Sequence, residues 1–176
     1  GVLPLSNGST IVIASIMGAR DPDFVKNYWK LVERYKISYL SGVPSTLSLL
    51  VTQPLADEDI SSLKPYGATG STAFPVEIAK QVIEACGVRM LPTFGATEFT
   101  QNATQVPRDG EIRHGSAGLP LPYTEVKAVN LGDDGSIARE CDPDEIGIIV
   151  VRSPGIIPGY VDPDHDVGKF LPDGWF

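Results

Sequence analysis

Apolar positions fall into two regimes. Over residues 9–104, β-branched runs alternate with stretches of helical period. From residue 111 onward only strand-like patterns remain, broken by Gly and Pro. The run Thr10–Met17 is apolar and β-branched, the pattern of a buried strand. Asp21-Pro22 then supplies an N-cap with proline at the first helical position. Phe24, Tyr28, Leu31 and Tyr35 recur at spacings of four, three and four, which places them on one helical face. Trp29 lies next to that face and reads as packing. Ile37–Val43 reads as a second strand, and Ser45 as the cap of a helix carrying Leu47, Leu50 and Val51. Tyr66–Thr72 is a short strand running into a loop. Pro75 starts a further helix with Val76, Ala79, Ile83 and Cys86 on one face and Gly87 as its stop. Val88–Pro92 is the next strand and enters Thr93-Phe94-Gly95-Ala96-Thr97-Glu98.

Strands separated by helices predict a parallel sheet with right-handed crossovers. The pattern changes after the turn Pro107-Arg108-Asp109-Gly110. Thr124–Val129 alternates, with Glu125 and Lys127 on one side and Val126 and Ala128 on the other. Leu131–Gly135 is turn chemistry, and Ile146–Arg152 is a strong strand. The expected fold is α/β: a parallel sheet with flanking helices over residues 1–107, then a small antiparallel, β-barrel-like or curled subdomain over residues 108–176.

Composition narrows the function classes. The chain has 176 residues, 42% hydrophobic and 20% charged, an ordinary globular balance. Its net charge of -8 argues against binding a nucleic-acid backbone, although a local loop can still hold a small anion. No apolar run reaches the roughly 20 residues of a membrane span. Cys86 and Cys141 stand far apart with no CxxC, which predicts a reducing, cytoplasmic compartment. Gly1-Val2-Leu3-Pro4 has no signal-peptide pattern, and the chain ends on Trp175-Phe176; both ends read as cut from something longer.

In open α/β sheets ligands bind at the carboxyl ends of strands. Two loops stand there: Gly67-Ala68-Thr69-Gly70-Ser71-Thr72-Ala73 and Thr93-Phe94-Gly95-Ala96-Thr97-Glu98. Small residues let backbone N–H groups approach an anion, and a Thr hydroxyl adds a donor. Glu98 offers a hard oxygen suited to Mg²⁺, and Phe94 a flat surface for a base. The plainer reading of the second loop is tight packing ahead of a helix whose first turn carries Glu98. Other candidates fall away. Neither GxxxxGK[ST] nor GxGxxG occurs, and no GxSxG accompanies the serines. His114 reads as a loop residue, Asp162-Pro163-Asp164-His165-Asp166 as a solvated turn, and Cys86 as core.

Phe94-Gly95-Ala96-Thr97-Glu98 resembles the aromatic-Gly-x-Thr-Glu motif of adenylate-forming enzymes, the superfamily of acyl-CoA synthetases, luciferase-like enzymes and peptide-synthetase adenylation domains. Five further segments agree in order. Gly42-Val43-Pro44-Ser45 is similar to a Gly-Val-Pro-Thr loop, and Gly70-Ser71-Thr72-Ala73-Phe74-Pro75 to a Gly-Gly-Ala-Pro-Leu segment. Gly115-Ser116-Ala117-Gly118-Leu119-Pro120 resembles Gly-Ser-Val-Gly-x-Pro, and Gly147–Tyr160 resembles a Gly-Glu-Leu…Gly-Tyr stretch. Asp173-Gly174-Trp175-Phe176 resembles the residues just before a Thr-Gly-Asp motif.

The resemblance implies a mechanism and a set of roles. A carboxylic acid is activated by ATP as an acyl-adenylate, and in the CoA ligases CoA then displaces AMP. Thr97 would hydrogen-bond the α-phosphate and act with Glu98 in catalysis, and Glu98 would bind Mg²⁺. Phe94 and Ala96 would belong to the nucleotide site, with Gly70, Ser71 and Thr72 lining the other side of the adenine. Gly95 would floor the acyl pocket. A fatty or other apolar acid is the leading expectation, since the loops near Gly42, Gly95 and Gln101 offer no charge for a polar one. An amino-acid-activating adenylation domain and a non-catalytic module of the same fold are the alternatives. Two departures stand out: Ile148 occupies the place of the usual Glu, and Ser71-Thr72 replaces Gly-Ala. The family's phosphate loop, its Thr-Gly-Asp motif and its C-terminal domain are not in this sequence, so the segment alone is expected to be inactive.

Overall fold

A computed structural model describes residues 2–70, 73–113 and 115–176. The chain is mixed α/β and divides into two compact units, Gly1–Met90 and Leu91–Phe176.

The first unit opens with a short helix, α1 (Val2–Ser6). The run Thr10–Met17 forms no strand, contrary to its pattern: Ile13 is 80% exposed and Ile16 97%. A β-branched run becomes a strand only where a neighbour takes its backbone groups, and none of the described strands pairs with it. Asp21 caps α2 (Pro22–Lys26), its side chain accepting from the N–H groups of Asp23 and Phe24. The helix expected to continue to Tyr35 breaks at Asn27, whose side-chain amide donates to the Asp23 carbonyl at 2.8 Å, and resumes as α3 (Tyr28–Tyr35). Its buried face runs through Val25, Trp29 and Val32, one position round from the expected one. Trp29 claims the interior because its indole N–H reaches the Gln53 carbonyl at 3.2 Å.

Residues 37–43 contribute one parallel bridge, Ser41 to Ala68, instead of a full strand. Pro44, not Ser45, opens α4 (Pro44–Val51), because proline's fixed φ suits the first helical position and puts Val43 at the cap. Beyond β1 (Tyr66–Thr69) comes α5 (Val76–Cys86), which ends at Gly87 in the left-handed region (φ 69°). The inward face of α5 centres on Val82, flanked by Ile78 and Cys86, and Ile83 turns outward. Leu40, Leu47, Leu50, Val82, Val88 and Met90 form one apolar core, with Tyr28 packed against it. Burial pushes the Tyr28 hydroxyl up to about 12.

Strand β2 (Arg89–Ala96) carries the chain into the second unit. There it pairs antiparallel with β3 (Gln101–Gln105), and β3 pairs antiparallel with β4 (Leu119–Pro120). The antiparallel pairing of β2 with β3, a strand that the sequence pattern does not predict, has a geometric reason. Only a 3₁₀ turn, Thr97–Phe99, and Thr100 in the left-handed region separate β2 from β3, whereas a parallel return needs a crossover of about a dozen residues. Strands β5 (Glu125–Leu131), β6 (Ile137–Glu140) and β7 (Ile148–Arg152) form an antiparallel sheet in the order β6-β5-β7. Among the described residues this sheet does not close into a barrel. Both its faces carry apolar contacts. Val126 packs on Phe99, Ala103 and Val151, while Val129 packs on Val150 and Trp175. Lys127 shares the Val129 face with its ammonium 5.2 Å from the Trp175 ring centre, so that side of β5 runs from exposed at Glu125 to buried at Val129.

Candidate functional site

The end of β2 is shaped by a bulge. Phe94 lies opposite Thr104 and Gly95 opposite Asn102, so Ala103 is left without a partner on β2. The extra residue lies on β3 and bends that strand where it faces the end of β2, and bulges recur beside functional sites. Ala103 is buried with Phe99 and Val151, which anchors the bend. Phe94 packs against the same cluster, its ring centre 6.0 Å from that of Phe99, and Ala96 packs beside it. Gly95 is exposed.

Thr97 and Glu98 occupy the turn just past this bend. The Thr97 side chain is exposed, and its carbonyl accepts from the Thr100 N–H at 2.9 Å. Glu98 is half-buried, and its backbone carbonyl accepts from the Ile157 N–H at 2.9 Å. Gly155 makes this approach possible: a Cβ there would stand 2.6 Å from the Phe99 carbonyl oxygen and 2.7 Å from Thr100 Oγ1.

The Glu98 carboxylate has a dedicated partner. The Tyr160 hydroxyl donates to Oε1 at 2.7 Å. That hydrogen bond holds the Glu98 carboxyl below the usual carboxylate range; Lys169 adds to the effect and desolvation opposes it. The same bond raises the Tyr160 hydroxyl, which therefore stays protonated as a donor. Tyr160 is itself held on several sides. Its N–H donates to Asp166 Oδ1 at 2.8 Å, its ring meets His165 and Phe170 edge-on, and Lys169 Nζ lies 4.6 Å from the ring centre. The Asp162–Asp166 turn thus serves to clamp Tyr160. His165 lies 3.9 Å from Asp162 across an exposed turn.

The second unit therefore gathers Phe94, Gly95, Ala96, Thr97 and Glu98 at one strand end. Gly70 is half-buried just beyond β1 in the first unit. Ser71, Thr72 and His114 lie outside the described residues. Neither Tyr160 nor Lys169 stands out in the sequence as a site residue, and Asp166 reads there only as part of a solvated turn. Gly159-Tyr160 is legible only as the end of a resembling stretch, and nothing in spacing links it to Glu98 62 residues earlier.

The donor set decides what kind of cation could bind. Among the described residues no group of three His, Cys, Asp or Glu side chains could hold a metal ion by itself. One ionised, half-buried carboxylate does fit Mg²⁺, which binds through one or two carboxylates together with phosphate oxygens. Glu98 thus suits a cation that arrives with a nucleotide rather than one caged by protein.

The chain is similar to known proteins along nearly all its length. It is 33% identical to a marinolic acid–CoA ligase from a Pseudoalteromonas species, over 97% of this chain and 28% of that protein. It is 32% identical to an indoleacetate–CoA ligase of Aromatoleum aromaticum, over 98% of this chain and 32% of that protein. The chain thus spans about three-tenths of these relatives' length. A crystal structure of an anthranilate CoA ligase in complex with anthranoyl-AMP superposes with a TM-score of 0.78 at 26% identity, covering 96% of this chain and 30% of that one. Residues 2–161 match the family described as AMP-binding enzyme, and the chain belongs to that family.

Proposed function

We propose that this chain is part of an ATP-dependent acyl-CoA synthetase, which activates a carboxylic acid as an acyl-adenylate and transfers it to CoA. The observation that carries the reading is the exposed Thr97 side chain next to the ionised Glu98 carboxylate in the turn between β2 and the bulged β3, in a chain whose relatives over nearly its whole length are CoA ligases. The acid is one with an apolar body. Indoleacetate in one relative and anthranilate in the superposed structure each carry an aromatic ring on the carboxyl-bearing framework.

In this reading the carboxylate of the acid attacks the α-phosphorus and pyrophosphate leaves. The thiol sulfur of CoA then attacks the acyl carbon and AMP leaves. Thr97 donates its hydroxyl to an α-phosphate oxygen, and Glu98 holds the Mg²⁺ that accompanies the triphosphate. When bound, that cation offsets charge on the phosphate oxygens. A donor fixed in advance does not have to reorganise as charge builds, which is why its loss costs rate more than binding. Phe94 presents its ring to the adenine with Ala96 beside it, and Gly95 bounds the acyl pocket; Gly70, Ser71 and Thr72 are assigned to the nucleotide site by the family resemblance alone. The division into an α/β part over residues 1–107 and a β part over 108–176 belongs to the same reading.

A reducing, cytoplasmic location fits the two free thiols, Cys86 and Cys141. No helix among the described residues is long and apolar enough to cross a membrane.

Acid-dependent ATP–pyrophosphate exchange by the full-length protein tests the reading. Thr97→Val and Glu98→Gln are each expected to slow exchange about 10²–10³-fold, with a much smaller change in KM for the acid. Exchange at the parent rate in both variants would refute it.

A further inference from the structure

Glu98 reaches its position with a partner that the proposed chemistry does not use. A carboxylate on a rotatable side chain samples several orientations, and a ligand for a cation is only as good as its orientation is fixed. Metal-ligating groups are commonly held by a hydrogen bond from behind, and loss of that bond typically costs about 10–100-fold in metal affinity or activity. Tyr160 has the features such a holder needs. Its hydroxyl donates to Oε1 of Glu98 at 2.7 Å, and it is a neutral donor that brings no competing charge. Its own backbone is pinned by Asp166, and its ring is boxed by His165, Phe170 and Lys169.

We propose that Tyr160 is a positioning residue, whose hydroxyl occupies one oxygen of Glu98 so that the other is presented to the divalent cation of a metal–nucleotide complex. The inference rests on the reading of Glu98 as the ligand of that cation. Asp166 and Lys169 act one step further out. The first fixes the backbone that carries the ring, and the second covers the ring's face, as cations favour.

Tyr160→Phe in the full-length protein removes the hydroxyl and keeps the ring with its three neighbours. The direct measurement is calorimetric binding of ATP with excess Mg²⁺ and, separately, with excess EDTA, alongside a thermal melt. Tyr160→Phe is expected to melt with the parent, to weaken binding of Mg·ATP about 10–100-fold, and to leave binding of ATP in EDTA unchanged. In a Glu98→Gln background the same substitution is expected to have no further effect, since the two groups act as one unit. Tyr160→Phe with parental Mg·ATP affinity, while Glu98→Gln is weakened, would overturn the positioning role and leave the Glu98 reading standing. Equal weakening in Mg²⁺ and in EDTA would mark a merely structural role and also overturn it. Parental Mg·ATP affinity in Glu98→Gln would instead defeat the reading of Glu98 and the proposal with it.

Discussion

Each unit is held together internally by a different kind of contact. In the first, one apolar cluster joins α4, α5 and the strand segments around Leu40 and Met90. Its polar links lie at the margin, as in the exposed Lys36–Asp59 pair. In the second, two small clusters, one around Phe99 and one around Trp175, stand on opposite faces of β5 and β7. Polar cross-links tie the loops to that frame. Arg152 binds Glu125 through two guanidinium nitrogens, Nε and Nη2, and lies 4.7 Å from the Trp175 ring centre, and Arg139 grips Glu145. Tyr160 holds Glu98 by a single hydrogen bond from a neutral hydroxyl. The contrast teaches where functional precision comes from. Apolar packing tolerates a helix turned by one position, as α3 and α5 illustrate, whereas a hydrogen-bonded carboxylate has one orientation.

Truncating the cores gives the largest expected effects. Trp175→Ala empties a site 6% exposed, between Val129 and Val150, and is expected to cost about 3–5 kcal/mol. Leu47→Ala, at a site 1% exposed, is expected to cost about 2–5 kcal/mol. Hydrogen exchange read by mass spectrometry locates each loss: β5 and β7 for the first, α4 and α5 for the second. A loss spread evenly over both units by either variant would break the contrast between them.

Gly155→Ala comes next. Its Cβ would collide with the Phe99 carbonyl and Thr100 Oγ1, so the turn bearing Thr97 and Glu98 must shift. Overpacking of this kind costs about 1–3 kcal/mol. A lowered Tm together with weakened Mg·ATP binding is expected; an unchanged affinity would mean that the turn yields without moving the carboxylate.

The smallest effect is expected at Glu145. The Arg139 guanidinium, helped by the Asp142 N–H and the Asn130 amide, holds its carboxyl down at about 2. A carboxyl lowered on folding stabilises above its unfolded range, near 4.5, and loses that contribution as pH falls toward 2. Glu145→Gln should therefore lower Tm slightly at pH 7, with the difference vanishing as melts are taken toward pH 2. A gap that stays constant with pH would show that the pair contributes through shape rather than charge.

Local chemistry was legible wherever it acts over a few residues. Asp21-Pro22 starts a helix, Gly87 ends one, Leu131–Gly135 turns, and Ile148–Arg152 is a strand. The Phe94–Glu98 segment was legible as a candidate site because small residues, a hydroxyl and a carboxylate follow a strand. Thr10–Met17 misled because its pattern says only that it could pair. The parallel direction expected of the first strands is seen in the Ser41–Ala68 bridge, whereas β3 went unpredicted; it runs antiparallel to β2 because Thr97–Thr100 is too short for a crossover.

The sequence by itself determined the alternation of elements, the turns and caps, and the residue types available for phosphate and cation chemistry, since each depends on covalent geometry or on neighbours within about one helical turn. Only the tertiary structure decided which helix faces are inward, that the chain doubles back after β2 into a bulged β3, and that Tyr160 meets Glu98. Those outcomes depend on contacts between residues far apart in the chain. Their energies are set by packing and hydrogen-bond geometry that no local pattern encodes.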